Sequence, residues 1–407
     1  KGRNLMASPR LIVPDAARGM ALLGIAIANM TTAWIITEDR PGAYFGGILN
    51  DSVLDKIAVV FGAFFVHNRG LPMFSTLLGF GVGLIAMSLW RRGFPLREAR
   101  RVIAKRYGFL ALLGAVHMVL LFWGDIMFVY GIAGIVIALL LTLHNSTLRK
   151  ISYIALGALT VLGIATLIFS AVDGGLDIPV DAIGTVNSYG DLLLSQLLTL
   201  GAQIISAPLI VLMYLPVMLV GFVWAREGVL ADVPSHRPQL LRWVAIAAAV
   251  TLVIGTLWSL GTLGVIDQRW ANAASSANST LGVLTGPGIL AGLALILQPV
   301  QERIAAGASV PVLLWPFVAL GKRSMSGYVG QSILFFLIVH PFTLDYGHEL
   351  GAFGQAALAC GVWLVTVIGA CVLEALGLRG PLEVVHRRLS YGPSMQPERS
   401  LPRQGLT

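Results

Sequence analysis

The chain has 407 residues, 56% of them hydrophobic and 12% charged, about half the charged fraction of a soluble domain. That deficit, with repeated apolar runs of about 20 residues, excludes an ordinary soluble enzyme and predicts an all-α polytopic membrane protein. The net charge of +8 sits in short segments between the apolar runs. This is a topological signal rather than a nucleic-acid surface.

In chain order, the first helix is expected over 17–36. Pro14 suits a helix start, and Asp15 suits its electropositive end. Asp15 and Arg18 share a face and can pair, either as an interface anchor or as a ligand-facing pair. This run lacks a small-residue cleavage site and reads as a retained helix, not a signal peptide. Residues 37–51 form a loop with Glu38, Asp39 and Asp51. The apolar run 53–67 is short for a crossing and reads as a re-entrant or interfacial helix. Residues 71–90 make a clear span with Gly79, Gly81 and Gly83, which permit close helix approach.

Segment 91–106 carries Arg91, Arg92, Arg97, Arg100, Arg101, Lys105 and Arg106 against Glu98 alone, so it is expected on the cytoplasmic side. Residues 108–140 then cross twice, with His117 inside the first pass and Gly124-Asp125 at the outer reversal. Residues 144–150 return to a basic turn and 151–172 go out. Residues 173–191, with Asp173, Asp177, Asp181 and Asp191 and no Lys or Arg, fit an outer loop. The run 192–225 exceeds one crossing. It reads as a surface helix leading into a span from about Ala207, kinked or broken by Pro208 and Pro216.

Residues 226–242 are mixed and cytoplasmic, 243–265 go out, and 266–280 form a polar loop with Asp267, Arg269 and Trp270. Residues 281–297 return, 311–320 are short, and Lys322 marks the inner interface. Residues 325–340 go out, 341–351 make an outer loop, and 352–376 return. Cys360 and Cys371 lie about three helical turns apart, too far for a mutual disulfide. Parity favours about ten spans with both termini inside, since Lys1, Arg3 and Arg10 then also obey the charge rule. One transmembrane domain is expected over 1–391, with 226–391 as its C-terminal half, and a disordered basic tail over 392–407.

His117 precedes Asp125 by eight residues, about 12 Å along a regular helix, beyond direct hydrogen bonding. An imidazole at membrane depth is a functional candidate; the alternative is a neutral histidine bonded across helices. His340, His348, Asp345 and Glu349 share the outer loop and could bind a metal, or be ordinary solvated side chains. The arginine run could attract an anionic cofactor or only set topology. No phosphate-cradling glycine loop, His-Glu-x-x-His pair or Gly-x-Ser-x-Gly elbow occurs, so those chemistries have no sequence support.

Pro14-Asp15-Ala16-Ala17-Arg18-Gly19 through Asn29 resembles the opening of the YeiB-like integral membrane proteins. Residues 72–81 (Pro-Met-Phe-Ser-Thr-Leu-Leu-Gly-Phe-Gly) resemble their second signature. His117 to Tyr130, with Phe122-Trp123-Gly124-Asp125, resembles the third. Residues 321–332, with Tyr328, Gln331 and Ser332, are similar to the start of their C-terminal domain of unknown function 418. Arg379-Gly380-Pro381-Leu382-Glu383, Arg387 and Tyr391 resemble its close. Pro14, Ser326-Gly327 and Val384-Val385 depart from the usual pattern.

The resemblance implies a distant similarity to transmembrane acyltransferases such as heparan-α-glucosaminide N-acetyltransferase, which use a cytosolic acyl-CoA to modify a sugar across the membrane. In that relative the reactive histidine lies in the outer loop before the second signature, where the nearest residue here is His67. The leading expectation is therefore an acyltransferase in a bacterial cytoplasmic membrane. His117 would act as base or transient acyl carrier, and Asp125 would orient the acceptor or stabilise positive charge near the outer mouth. Acyl-CoA is the expected co-substrate, met by Asp15, Arg18, Arg91, Arg92, Arg97 and Lys322, with no permanently bound cofactor and no metal. His67, Asn29, Tyr328 and Gln331 are further candidates. Expected partners are the bilayer, a glycan, lipid or small-molecule acceptor and, as an open option, further copies of the chain. A transporter or exporter of a small amphiphile is the alternative, and a non-catalytic partner in envelope assembly the third reading.

Overall fold

A computed structural model describes residues 11–37, 40–173 and 186–399. The expectations for Lys1, Arg3, Arg10, Glu38, Asp39, Asp177, Asp181 and the tail beyond 399 lie outside the described residues. Helix α1 (Val13–Asn29) continues through a π-helical turn at Met30–Trp34, and α2 (Val53–Phe61) through another at Gly62–Val66. Then come α3 (Gly70–Arg91), α4 (Leu96–Leu120), α5 (Met127–Leu139), α6 (Asn145–Asp173) and α7 (Tyr189–Glu227). The chain continues with α8 (Val233–Thr262), α9 (Gln268–Leu281), α10 (Thr285–Ala305) and α11 (Trp315–Gly321). It closes with α12 (Ser324–Val339), α13 (Ala352–Ala375) and α14 (Pro381–Tyr391).

Seven helical stretches among the described residues are long and apolar enough to cross a membrane, and Met127–Thr142 and Ser324–Val339 are apolar but shorter. The flanks of α6 and α7 expose large apolar side chains, among them Ile154, Val161, Phe169, Leu198, Ile205 and Leu209. A surface of that kind belongs in a bilayer, which alone solvates it.

The run 53–67 is helical through Val66 and with α3 forms the apolar stretch Val53–Arg91, interrupted at 67–69. Two sequence expectations are corrected. Pro208 and Pro216 do not end α7, which runs unbroken for 39 residues. At Pro216 neighbouring helices hold it: Ser152 Oγ donates to the Pro216 carbonyl at 2.7 Å, and α3 packs against the next turns. The polar stretch 266–280 is largely helix α9 and not a loop. Asp267 caps it by accepting from Arg269 N at 2.9 Å. Its Ala271, Ala274 and Ala277 are buried, so small side chains rather than apolar periodicity seat it.

Close helix approach organises the core. A Cβ on Gly79 would stand 1.8 Å from the Met218 carbonyl oxygen, and one on Gly221 1.9 Å from that of Thr76. Thus α3 and α7 meet backbone to backbone. In the same way, a Cβ on Gly321 would stand 1.7 Å from the Asp15 carbonyl oxygen, which locks α11 against the start of α1. Cys360 and Cys371 are free thiols. Residues 392–399 turn back on the fold, where Arg92 Nη2 donates to the Pro397 carbonyl at 2.6 Å.

Candidate active site

Two chambers lie end to end along α1 and α3. The first, of about 280 Å³, is lined by Asp15, Arg18 and Leu22 of α1 and by Phe74, Leu77 and Gly81 of α3. The second, of about 300 Å³, is lined by Gly24, Ala28, Asn29 and Thr32 further along α1 and by Leu71 of α3. Ile126 lines both. One layer of side chains at the level of Ile126, Leu71 and Phe74 therefore divides them.

The first chamber lies toward the arginine-rich end. Arg18, Arg106, Lys322 and Arg387 line it against the carboxylates of Asp15 and Glu383, leaving two more cations than carboxylates. Arg18 Nη1 is 3.5 Å from Asp15 Oδ1. Lys322 Nζ is 2.5 Å from Glu374 Oε1, so much of its charge is already answered. Arg106 lies over the Tyr391 ring and donates to its hydroxyl at 3.2 Å, which keeps its positive charge at the chamber wall. Glu383 accepts from Met325 N and Ser326 N at 2.9 and 3.1 Å and so caps α12.

His386 of α14 also faces this chamber and bonds the Arg106 carbonyl at 2.7 Å through Nε2. Burial, and next the Arg106 guanidinium, hold its pKa down at about 4. Tyr130 completes the wall, with its hydroxyl 2.9 Å from Ser75 Oγ and donating to the Leu71 carbonyl at 3.1 Å.

The second chamber is built around the break between α2 and α3. Asn68 sits there in the left-handed region at φ 56°, and His67 and Asn68 leave carbonyls without helical partners. Arg69 answers them: Nε donates to Phe64 O at 3.1 Å, and Nη1 to His67 O at 3.2 Å and Asn278 Oδ1 at 2.8 Å. Asn278 Nδ2 donates in turn to His67 O at 3.2 Å, and Tyr214 Oη to Asn68 Oδ1 at 3.2 Å. Irregular backbone at membrane depth persists only where it is buried in protein or lines a cavity, and both conditions hold here.

The His67 ring lines the chamber, flanked by Tyr44 and Phe45 with centroids 4.8 and 5.0 Å away. Among the described residues its nitrogens have no hydrogen-bond partner. Burial raises the Tyr44 pKa, which keeps that hydroxyl protonated beside it.

His117 sits elsewhere. Its Nδ1 is 2.6 Å from Asp125 Oδ2, which corrects the expectation that the two are out of reach. Helix α4 ends at Leu120, so the 12 Å helical spacing never applies, and the chain folds Asp125 back under its own helix. Asp125 Oδ1 also accepts from Phe128 N at 2.7 Å and so caps α5. The pair is buried, and among the described residues His117 Nε2 has no partner. His117 lines neither chamber; its ring packs on Tyr328, 5.2 Å between centroids, and Tyr328 lines the first.

The other sequence candidates divide cleanly. Asp15, Arg18, Lys322 and Tyr328 meet at the first chamber, while Asn29 and His67 meet at the second. Arg91, Arg92 and Arg97 lie outside both linings, and Gln331 is buried against Thr366 Oγ1 at 3.5 Å. His348 Nε2 bonds the Val339 carbonyl at 2.9 Å, and no metal-ligating cluster occurs among the described residues. Sequence reasoning missed Arg69, Asn278 and His386. Arg69 was detectable, since it is a cation within an otherwise apolar stretch; Asn278 and His386 reach their chambers only through tertiary packing.

Residues 224–393 match the family model described as Protein of unknown function (DUF418). The chain is similar to Uncharacterized protein YxaH of Bacillus subtilis (strain 168), 23% identical over 423 residues that span 95% of this chain and 95% of that protein. The YeiB-like resemblance agrees with both matches, and neither description states an activity.

Proposed function

We propose that this protein, whose segment 224–393 matches the DUF418 model, is a membrane-embedded acyltransferase. It carries an acyl group from a cytoplasmic acyl thioester to an acceptor on the outer side of a bacterial cytoplasmic membrane. In this reading about ten spans cross the bilayer, with both termini and the arginine-rich end inside. The observation that carries it is the stacking of two chambers of opposite character on one pair of helices, divided at Ile126.

The basic chamber suits the phosphates of an acyl-CoA: Arg18 and Arg106 supply charge-assisted bonds, and Arg387 adds field. The acyl end passes the divide at Ile126 into the second chamber, where Asn29 and Thr32 offer hydrogen bonds to a hydroxylated acceptor. His67 takes the proton from the acceptor hydroxyl as its oxygen attacks the thioester carbonyl carbon. The new C–O bond forms, the C–S bond breaks, and the thiolate leaves toward the basic chamber, where water protonates it. His67 then releases its proton to the outer side. General-base help of this kind contributes about 10²- to 10⁴-fold.

His117 and Asp125 act in this scheme as positioning residues. Their bond fixes the 121–126 turn and with it Ile126. The test is thiol release by the full-length protein in lipid nanodiscs, given acyl-CoA and an envelope lipid and glycan extract. Release that depends on His67 supports the scheme; no release above the protein-free rate overturns it.

A transporter is the second reading, favoured by one specific observation. A helix broken at 67–69 beside a midway chamber is the arrangement transporters use for substrate sites. It predicts substrate movement across vesicles without thioester consumption.

A further inference from the structure

Arg69 is a buried cation with no carboxylate within ion-pairing distance among the described residues, and its Nη2 has no hydrogen-bond partner. An isolated guanidinium at membrane depth is costly and marks a place where an anion is expected. Its other nitrogens are committed to the carbonyls of Phe64, His67 and Asn68 and to Asn278 Oδ1, which leaves Nη2, itself covered by protein, as the one guanidinium nitrogen without a partner among the described residues.

Arg69 lines a third cavity, of about 230 Å³, between α1, the 62–66 turn, α3 and α10. Among the described residues lining it, Arg69 is the only charged or polar side chain. Apolar voids of roughly 150 Å³ accept a benzene-sized guest, so this one has room for a longer run of methylenes. Phe61 and Phe65, the most exposed of its lining residues, are more than half exposed on the apolar perimeter. The opening therefore faces sideways, toward the acyl chains of the bilayer.

Two further features point the same way. Gly70, the first residue of α3, lines the pocket, and no side chain caps that helix N-terminus. Its electropositive end adds to the attraction for an anion. Gly24, Val66 and Gly70 line both this cavity and the His67 chamber. A headgroup seated at Arg69 would thus lie next to the proposed base.

We infer that this pocket seats the hydrocarbon tail of a bilayer lipid whose anionic headgroup pairs with Arg69, making an anionic membrane lipid the acceptor of the reaction. The acceptor role rests on the acyltransferase reading; the lipid seat does not. Entry is lateral, past the paired rings of Phe61 and Phe65 (centroids 5.4 Å apart), so the acceptor never crosses water.

The test uses the full-length protein in phosphatidylcholine nanodiscs, with dodecyl phosphate as probe and dodecanol and inorganic phosphate as separate arms. Thermal midpoint and bound stoichiometry by native mass spectrometry are read. Dodecyl phosphate is expected to raise the midpoint saturably with one molecule retained, and the other two to leave it unmoved. Arg69→Gln should weaken binding at least tenfold. Leu293→Trp, which fills the pocket and leaves Arg69 intact, should abolish it, and decides the matter if the arginine variant fails to fold.

Equal shifts from dodecanol would mean mere apolar filling, and equal shifts from inorganic phosphate a soluble-anion site. Either result, or undiminished binding in Leu293→Trp, overturns the inference. Binding without any thiol release would reject the enzymatic reading and leave the lipid seat standing. Thiol release without dodecyl phosphate binding would do the reverse.

Discussion

Asp125 Oδ2 stands 2.6 Å from His117 Nδ1, and the same carboxylate holds the first turn of α5 through Phe128 N at 2.7 Å. One side chain thus ties the end of α4 to the start of α5 and sets the position of Ile126, which divides the two chambers. Both partners are buried, so removing either strands the other.

Asp125→Ala is therefore expected to destabilise the protein by about 3 kcal/mol, from a lost cap and a lost buried hydrogen bond together. Asp125→Asn retains an oxygen for the cap and should lose about half as much. Thermal unfolding in a fixed detergent measures both. In thiol-release assays His117→Gln should lower kcat while leaving the pH profile of kcat/KM in place. A lost acidic limb in that profile would instead make His117 the base.

His67→Ala should lower thiol release by about 10²-fold or more, and lower stability by roughly 2 kcal/mol through the space its buried ring vacates while leaving the 67–69 break in place. Its ring makes no hydrogen bond among the described residues and leaves the 67–69 break to the Arg69 and Asn278 side chains, which bond its main chain. A variant that releases thiol at the wild-type rate would remove His67 from the chemistry.

The fold was legible in the sequence to the extent that one-dimensional signals report it. Apolar length gives most of the spans, and the arginine run gives the end toward which the basic chamber lies. What escaped follows from packing. Helix α9 looked polar because alanine and serine replace large apolar residues where α6 and α8 press close. Pro216 looked like a break because its support comes from Ser152 of α6. The site was legible as residue types but not as an arrangement. His117 and His67 were both visible, yet which one lines a cavity depends on where α4 ends and where α2 breaks. Arg106 was hidden among six basic neighbours, and only α14, folding back with His386 and Tyr391, singles it out.

Arg106→Gln and Arg18→Gln should each raise KM for an acyl-CoA about tenfold, or about 1.4 kcal/mol, with kcat little changed. The effect should shrink as salt rises from 0.05 to about 0.5 M, since screening weakens what partly exposed arginines contribute. Arg97→Gln, outside the chamber lining, should leave KM unchanged. Equal effects from all three would show a general surface field and no defined phosphate seat.

His386 gives the protein an acid-side instability. The folded chain resists protonating this ring until about pH 4, against the ordinary 6.5, because burial and the Arg106 guanidinium oppose the charge. The unfolded chain takes up its proton near pH 6.5. Stability is therefore whole above that pH and falls progressively as pH drops through the window to about 4. The full loss is about 3 kcal/mol at 1.36 kcal/mol per pH unit. His386→Gln can still donate to the Arg106 carbonyl but cannot titrate. Its unfolding temperature should lose this part of the slope between pH 6.5 and 4, and an unchanged slope would assign the acid sensitivity to other groups.

Gly79→Ala and Gly361→Ala should differ sharply although both lie in apolar helices. A Cβ at position 79 would stand 1.8 Å from the Met218 carbonyl oxygen, a rigid backbone atom, so α3 and α7 must move apart. With them moves Tyr214 of α7, which bonds Asn68 at the break beside His67. The expected result is a loss of roughly 3 kcal/mol or more, together with a collapse of His67-dependent thiol release. At position 361 a Cβ would meet nothing within 4 Å, and alanine's better helix propensity adds up to about 1 kcal/mol. Unfolding temperatures of the two variants against the parent decide this. A stable, active Gly79→Ala would mean that α3 and α7 tolerate a wider spacing and that the chamber does not depend on their contact.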